Sequence, residues 1–540
     1  MNFRLCAAVS MLAMIAACAN TPPPLLDVTA MTGRTPLASQ TAFDVLDYDL
    51  RIAFHPESRE IDGSVVATSL ATDNLAEIAL DLDPRFDVLS VDVNGAPAPF
   101  SRSDGRVIAS AAIAEGSVFT MRVAYSGAPH QAVRPPWDGG VTWATTPSGA
   151  PWIATSVQGE GCDLWWPCKD QFTDKPDTMT ITLDVPEGLF AASNGVLQSV
   201  EVTDGRAVHH WKTDYPVTPY NVAVGVGPYD VIEETFMSIS GDEVPVFLWV
   251  LPENLKDGRR LMADLMRQLP YFESRLGPYP WRKEKVGIVH TPFLGMEHQS
   301  INAYGSAFGV DPHGYDWLLQ HELAHEWFGN AMTHARAKDF WLHEGFATYM
   351  QADYAAEVIG DFSRDHYLYE YRLNTQNCSP VVPSDPDGRG WDVGTDVYYK
   401  GAGVLHTLRN FIGEEAFWTA VRTLIGDDPG RVYRTTEDFV QIASDAAGRD
   451  LTWYFSAYLD AATLPYLAVQ RENGRASFKW ETSVDGDFPM PIEVEIDGRS
   501  MRLPMKDGEQ TIKIPDTARL RVDPNGAVLR DLPIKPICGT

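Results

Sequence analysis

The residues able to do chemistry stand together at His321-Glu322-Leu323-Ala324-His325. On an α-helix, side chains four apart share a face, so both imidazoles can hold one metal ion with Glu322 beside them. A second candidate carboxylate, Glu344, lies in DFWLHEGFATY, residues 339–349. Eighteen residues separate His325 from Glu344, enough to finish one helix, turn at Gly329-Asn330 and return antiparallel. His321, His325 and Glu344 are therefore the expected metal ligands. Two His and one carboxylate leave the fourth tetrahedral position of zinc for water, the catalytic arrangement. The metal lowers the pKa of that water, and Glu322 is placed to take the proton as a carbonyl is attacked. Most histidines are packing or surface residues, and His313, His334, His343 and His366 are read that way.

Five motifs then appear in one order: TSVQGEGCDLWWPCKDQ (155–171), GMEHQS (295–300), HELAHEWFGN (321–330), WLHEGFATY (341–349) and YYKGAGVL (398–405). With them the sequence resembles the gluzincin zinc aminopeptidase family, the relatives of aminopeptidase N and leukotriene hydrolase (peptidase family M one). The resemblance runs over roughly residues 41 to 465. It implies one zinc ion and hydrolysis of N-terminal residues from peptides with a free N-terminus. It also implies that Tyr398, two before Lys400, donates to the tetrahedral intermediate; from spacing alone Tyr399 is an equal candidate. Glu297 and Gln158, with Gly295 and Met296 alongside, would hold the substrate's α-ammonium, a cation that needs fixed carboxylate and amide oxygens near the metal. Leu294, His298 and His343 depart from the family's usual residues at their positions.

The elements that must position these groups follow from pattern. The opening 17 residues carry Arg4, an apolar run and a small-residue site, which reads as a secretory signal too short to span a membrane as a mature helix. Ile15-Ala16-Ala17-Cys18 looks like a bacterial lipobox, with Cys18 the lipidated residue; two or more acyl chains anchor stably. Residues 18–41, rich in Pro, Thr and Ala, are expected to be a flexible linker. Segments from 42 to 229 alternate as strands, with turn signals at Asp62-Gly63, Asn94-Gly95, Asp104-Gly105, Asn194-Gly195 and Asp204-Gly205. Residues 230–463 mix one long helix, a short apolar strand and several further helices, and strands return over 464–540. The fold class expected is a multidomain α+β chain: an all-β, saddle-like N-terminal domain, a thermolysin-like catalytic domain and a small C-terminal β-sandwich. Larger relatives carry a further helical domain over the cleft, for which this chain has no room.

A net charge of -30 argues against nucleic acid as partner, because no basic patch could neutralise phosphates. The expected location is the bacterial cell envelope, the membrane being met through the lipid anchor alone. Six cysteines become four thiols after processing, and pairing of Cys162 with Cys168 or burial of both as free thiols are equally open. Two other functions fit the residues less well: an endopeptidase of the same chemistry admitted by an open cleft, and an anchored binding module without turnover. Epoxide hydrolysis, known in one branch of the family, is a minor further possibility.

Overall fold

The structure, a computed structural model, describes residues 35–531. The signal segment, Cys18, most of the expected linker and Cys538 lie outside the described residues. The linker ends earlier than position 41. Helix α1 (Ala38–Thr41) belongs to the first domain, because Gln40 is buried and bridges an internal ion pair, donating to Asp81 at 2.7 Å and accepting from Arg106 at 3.1 Å. No helix among the described residues is long and apolar enough to cross a membrane.

The first domain is built on an eight-stranded sheet centred on Phe43–His55 and Glu60–Ala71. In Phe43–His55 buried and less buried residues alternate on either side of a register shift at Val45/Asp47, as period-two patterning demands. That strand runs antiparallel to Glu60–Ala71 and parallel to Thr178–Pro186. A four-stranded sheet packs beneath, with Pro151–Ser156 at its interior. Asn94-Gly95, Asp104-Gly105 and Asp204-Gly205 are left-handed hairpin turns with positive φ at both residues. Asp62-Gly63 is not a turn but lies inside Glu60–Ala71. Gly63 is small for another reason: a β-carbon there would meet the Tyr125 ring at 2.4 Å. Cys162 and Cys168 are joined in a disulfide that closes a buried loop, and Cys378 is likewise disulfide-bonded.

The second domain begins with strands Asp230–Met237 and Glu243–Val250 of a five-stranded sheet that ends on the two-residue strand Gly295–Met296. Helix α2 (Leu255–Leu276) packs on it, followed by α3 (Trp317–Ala324), α4 (Trp341–Ile359), α5 (Asp361–Asn374), α6 (Tyr399–Ile412), α7 (Glu414–Ile425) and α8 (Thr436–Ala447). Trp249 and Val289 from the sheet, with Ile301 just before its strand Asn302–Tyr304, join the first domain's apolar core, so the two domains are welded side by side. Two three-stranded sheets complete the chain: Tyr466–Glu472, Arg475–Glu481 and Glu509–Lys513 face Ile492–Ile496, Arg499–Leu503 and Leu520–Val522. This sandwich shares a continuous core with the second domain. It is pinned there by Tyr458, whose hydroxyl donates to the Leu529 carbonyl at 2.6 Å.

Candidate metal centre

Helix α3 starts at Asp316, whose side chain accepts from the Leu319 amide at 3.0 Å and satisfies a first-turn donor. One helical turn separates His321 and His325 on it. Helix α4 returns alongside and delivers Glu344 in its first turn. The Nε2 atoms of His321 and His325 stand 3.2 Å apart, and Glu344 Oε2 lies 3.3 Å and 3.4 Å from them. Ligands arranged tetrahedrally around zinc at about 2.0–2.1 Å are about 3.3–3.4 Å apart. Glu344 Oε2 is buried with no hydrogen-bond donor, an orphaned acceptor of the kind a cation satisfies. His325 is held by Nδ1, 2.8 Å from the Phe328 carbonyl, so that nitrogen donates and Nε2 is left as the ligand. The donor set therefore fits one zinc ion.

Three buried carboxylates surround this point. The carboxylates of Glu297 and Glu322 and a ring nitrogen of His325 lie mutually within 4.8 Å. Burial pushes the Glu322 carboxyl well up, and Glu297 and Glu344 add to the rise. Burial would raise Glu344 too, but His325 and His321 outweigh it and hold that carboxylate down. At His325 burial favours the neutral ring and is overcome by Glu344, Glu297 and Glu322, which raise it. An excess of negative charge in a dry site is what a divalent cation neutralises.

Tyr398 immediately precedes α6 with its ring centroid 6.2 Å from that of His321. Its phenol is pushed up by burial, then by Glu344, Glu297 and Glu322, and so stays protonated. Tyr399 instead stacks on Tyr371 at 5.3 Å. Gln158 reaches over from the first domain and donates through Nε2 to Glu297 Oε1. Gly295 faces Glu322, while Met296 packs into a small apolar cluster with Ala154 and Phe293. Buried His298 is held neutral, its ring pulled down to about 3 by burial. His343 accepts the His334 amide proton at Nε2, 3.0 Å away, and supports the strand after the metal helix. His313 pairs with Asp311.

Residues 262–458 match the peptidase family M1 domain. That stretch is similar to peptidase family M1. Over 361 residues it is 24% identical to aminopeptidase N of Haemophilus influenzae, covering 62% of this chain and 41% of that one. It is 28% identical over 338 residues to the mitochondrial aminopeptidase 2 of Saccharomyces cerevisiae, 58% of this chain and 34% of that one. The chain thus spans less than half the length of these relatives. The M1 zinc metallopeptidase of Deinococcus radiodurans shares its fold, with a TM-score of 0.67 and 23% identity over 80% of this chain and 96% of that one. A mutant of that neighbour was crystallised bound to a Tyr-Ser-Ala substrate. Similarity to that family implies one zinc ion, and His321, His325 and Glu344 are a group among the described residues that could hold it.

Sequence pattern does not reveal the support beneath this metal centre. Glu326, next to His325 and fully buried, accepts from Trp281 at 2.7 Å, Asn302 and Asn330 at 3.0 Å, Ser300 at 3.1 Å and Tyr279 at 3.2 Å. Asn330 also donates to the Glu297 main-chain carbonyl at 2.9 Å, tying the exit of the metal helix to the substrate-side strand. The available signal was position: Glu326 and Asn330 sit in the same ten-residue motif as the ligands.

Proposed function

We propose that this chain is a zinc-dependent aminopeptidase that removes one N-terminal residue at a time from peptides. The supporting observation is the 4.8 Å limit on the separation of the Glu297, Glu322 and His325 ligand atoms. One residue of extended chain spans about 3.5 Å and two about 7 Å. An ammonium held by Glu297 therefore leaves room for a single residue before the attacked carbonyl. The relatives named aminopeptidase support the same reading.

Zinc, when bound, supplies Lewis acidity and lowers the pKa of a water molecule toward neutrality. Glu297 and the Gln158 amide oxygen hold the substrate ammonium and fix its carbonyl in register with the ligand set. Glu322 takes the proton of the attacking water and passes it to the departing amine. Tyr398 donates its phenol hydrogen toward the oxyanion, where a fixed donor is worth most. The opening sequence around Cys18 supports attachment to an envelope membrane through lipid, with the catalytic domains outside the bilayer.

The test compares a free aminoacyl anilide with its N-acetylated counterpart, with and without a chelator. Cleavage of the free substrate alone, abolished by chelation, is expected. Equal cleavage of both would mark an endopeptidase. Glu322→Gln should retain zinc and lose about 10²–10⁴-fold in turnover.

A further inference from the structure

Glu297 belongs to the second domain, yet the groups that fix it come from the first. Thr218 and Pro219 lead into a short turn, Pro219–Asn221, and Pro219 presets its backbone. Two consecutive side chains of that turn then act on Glu297, Tyr220 directly and Asn221 through Asn330. The Tyr220 hydroxyl, on a residue only 2% exposed, donates to Glu297 Oε1 at 3.2 Å. The Asn221 amide donates to Asn330 Oδ1 at 2.5 Å, and Asn330 in turn donates to the Glu297 carbonyl. Asn194 carries the clamp further, donating to Asn221 O at 2.9 Å and Gln299 O at 2.7 Å.

Gln158 and Tyr220 both donate to Oε1, and among the described residues no side-chain hydrogen bond to Oε2 accompanies them. With its Nε2 committed to Glu297, the Gln158 amide presents only its oxygen to a cation. A carboxylate with one oxygen saturated and one kept for the ligand is pre-organised for a single ammonium. Without the phenol, the Glu297 carboxylate loses one of two side-chain donors in a buried site, where it is least able to find water.

Resting on the aminopeptidase reading, we propose that Tyr220 is the positioning residue that sets the Glu297 carboxylate for the substrate's free α-ammonium. Tyr220 does not touch the reacting atoms, so its contribution appears in recognition of the amine and not in the chemical step.

The experiment measures kcat and KM of the full chain and of Tyr220→Phe on a free aminoacyl anilide and on its N-acetylated form, with zinc content and thermal midpoint recorded. The expected result is a rise of about tenfold in KM for the free substrate, with kcat within about twofold, and unchanged zinc and melting. Asn221→Ala, which loosens the other end, should move KM the same way. An unchanged KM in Tyr220→Phe, or a fall in kcat alone, overturns the proposal, as does loss of zinc or of thermal stability in step with activity. Wild-type chain that cleaves free and acetylated substrates equally overturns the aminopeptidase reading and this proposal together. A wild-type preference for the free amine that Tyr220→Phe leaves untouched overturns only the role of Tyr220.

Discussion

Gly295 lies so close to Glu322 that a β-carbon on Gly295 would stand 2.5 Å from Glu322 Oε1 and 2.8 Å from Leu318 Cδ1. The strand that borders the cleft is thus glycine at this position because the proposed general base occupies the space a side chain would need. Gly295→Ala forces the Glu322 carboxylate to rotate away, since the far end of a side chain gives before a paired strand does. A displacement of about 1 Å can cost about 10²-fold in rate. Turnover should fall by about 10–10²-fold with zinc stoichiometry unchanged. Steady-state kinetics beside metal analysis check this, and a variant that loses zinc instead would place the damage at the ligands.

Zinc also links function to stability. His321, His325 and Glu344 come from two helices packed side by side, and a ligand bound only by the folded state stabilises it by mass action. Chelation should lower the thermal midpoint of the wild type. Glu344→Gln, which exchanges an anionic ligand for a neutral amide, should bind zinc far more weakly and melt at one temperature with or without chelator. A chelator-induced shift of equal size in both proteins would remove Glu344 from the ligand set.

The ligands were legible because their relationship is local. His321 and His325 are one turn apart, and only a short excursion brings Glu344 back. Alternation likewise marked residues 48–54 of the strand Phe43–His55, and Asn-Gly and Asp-Gly marked three hairpins. Asp62-Gly63 misled because the same dipeptide serves a different need: Gly63 makes room for Tyr125, a residue paired with it across the sheet. Tyr220 and Asn194 were invisible for a related reason. Their partners lie 77 and 105 positions away, and no periodicity encodes which oxygen a distant phenol or amide will meet. The stacking of Tyr399 on Tyr371 is again a contact across helices that spacing does not encode.

Behind the metal helix, the same domain junction contains a lysine whose charge opposes folding. Lys175 is buried, and its ammonium donates to the Asn330 carbonyl at 3.0 Å, with the Tyr433 ring centroid 5.6 Å away. Burial pulls its pKa down to about 7. The unfolded chain keeps an ordinary lysine near 10.5, so between about pH 7 and 10.5 it binds more protons than the folded chain. Stability from this group therefore rises with pH across that window, by at most about 1.4 kcal/mol per unit, and the cost of the buried charge is full below pH 7. Lys175→Met keeps much of the volume without the charge. Its advantage over the wild type should be largest at pH 6–7 and should shrink steadily toward pH 10. Urea unfolding midpoints measured on both proteins across that range would show converging curves. Parallel curves would mean that Lys175 stays charged in the folded state, sheltered by its carbonyl partner and the Tyr433 ring.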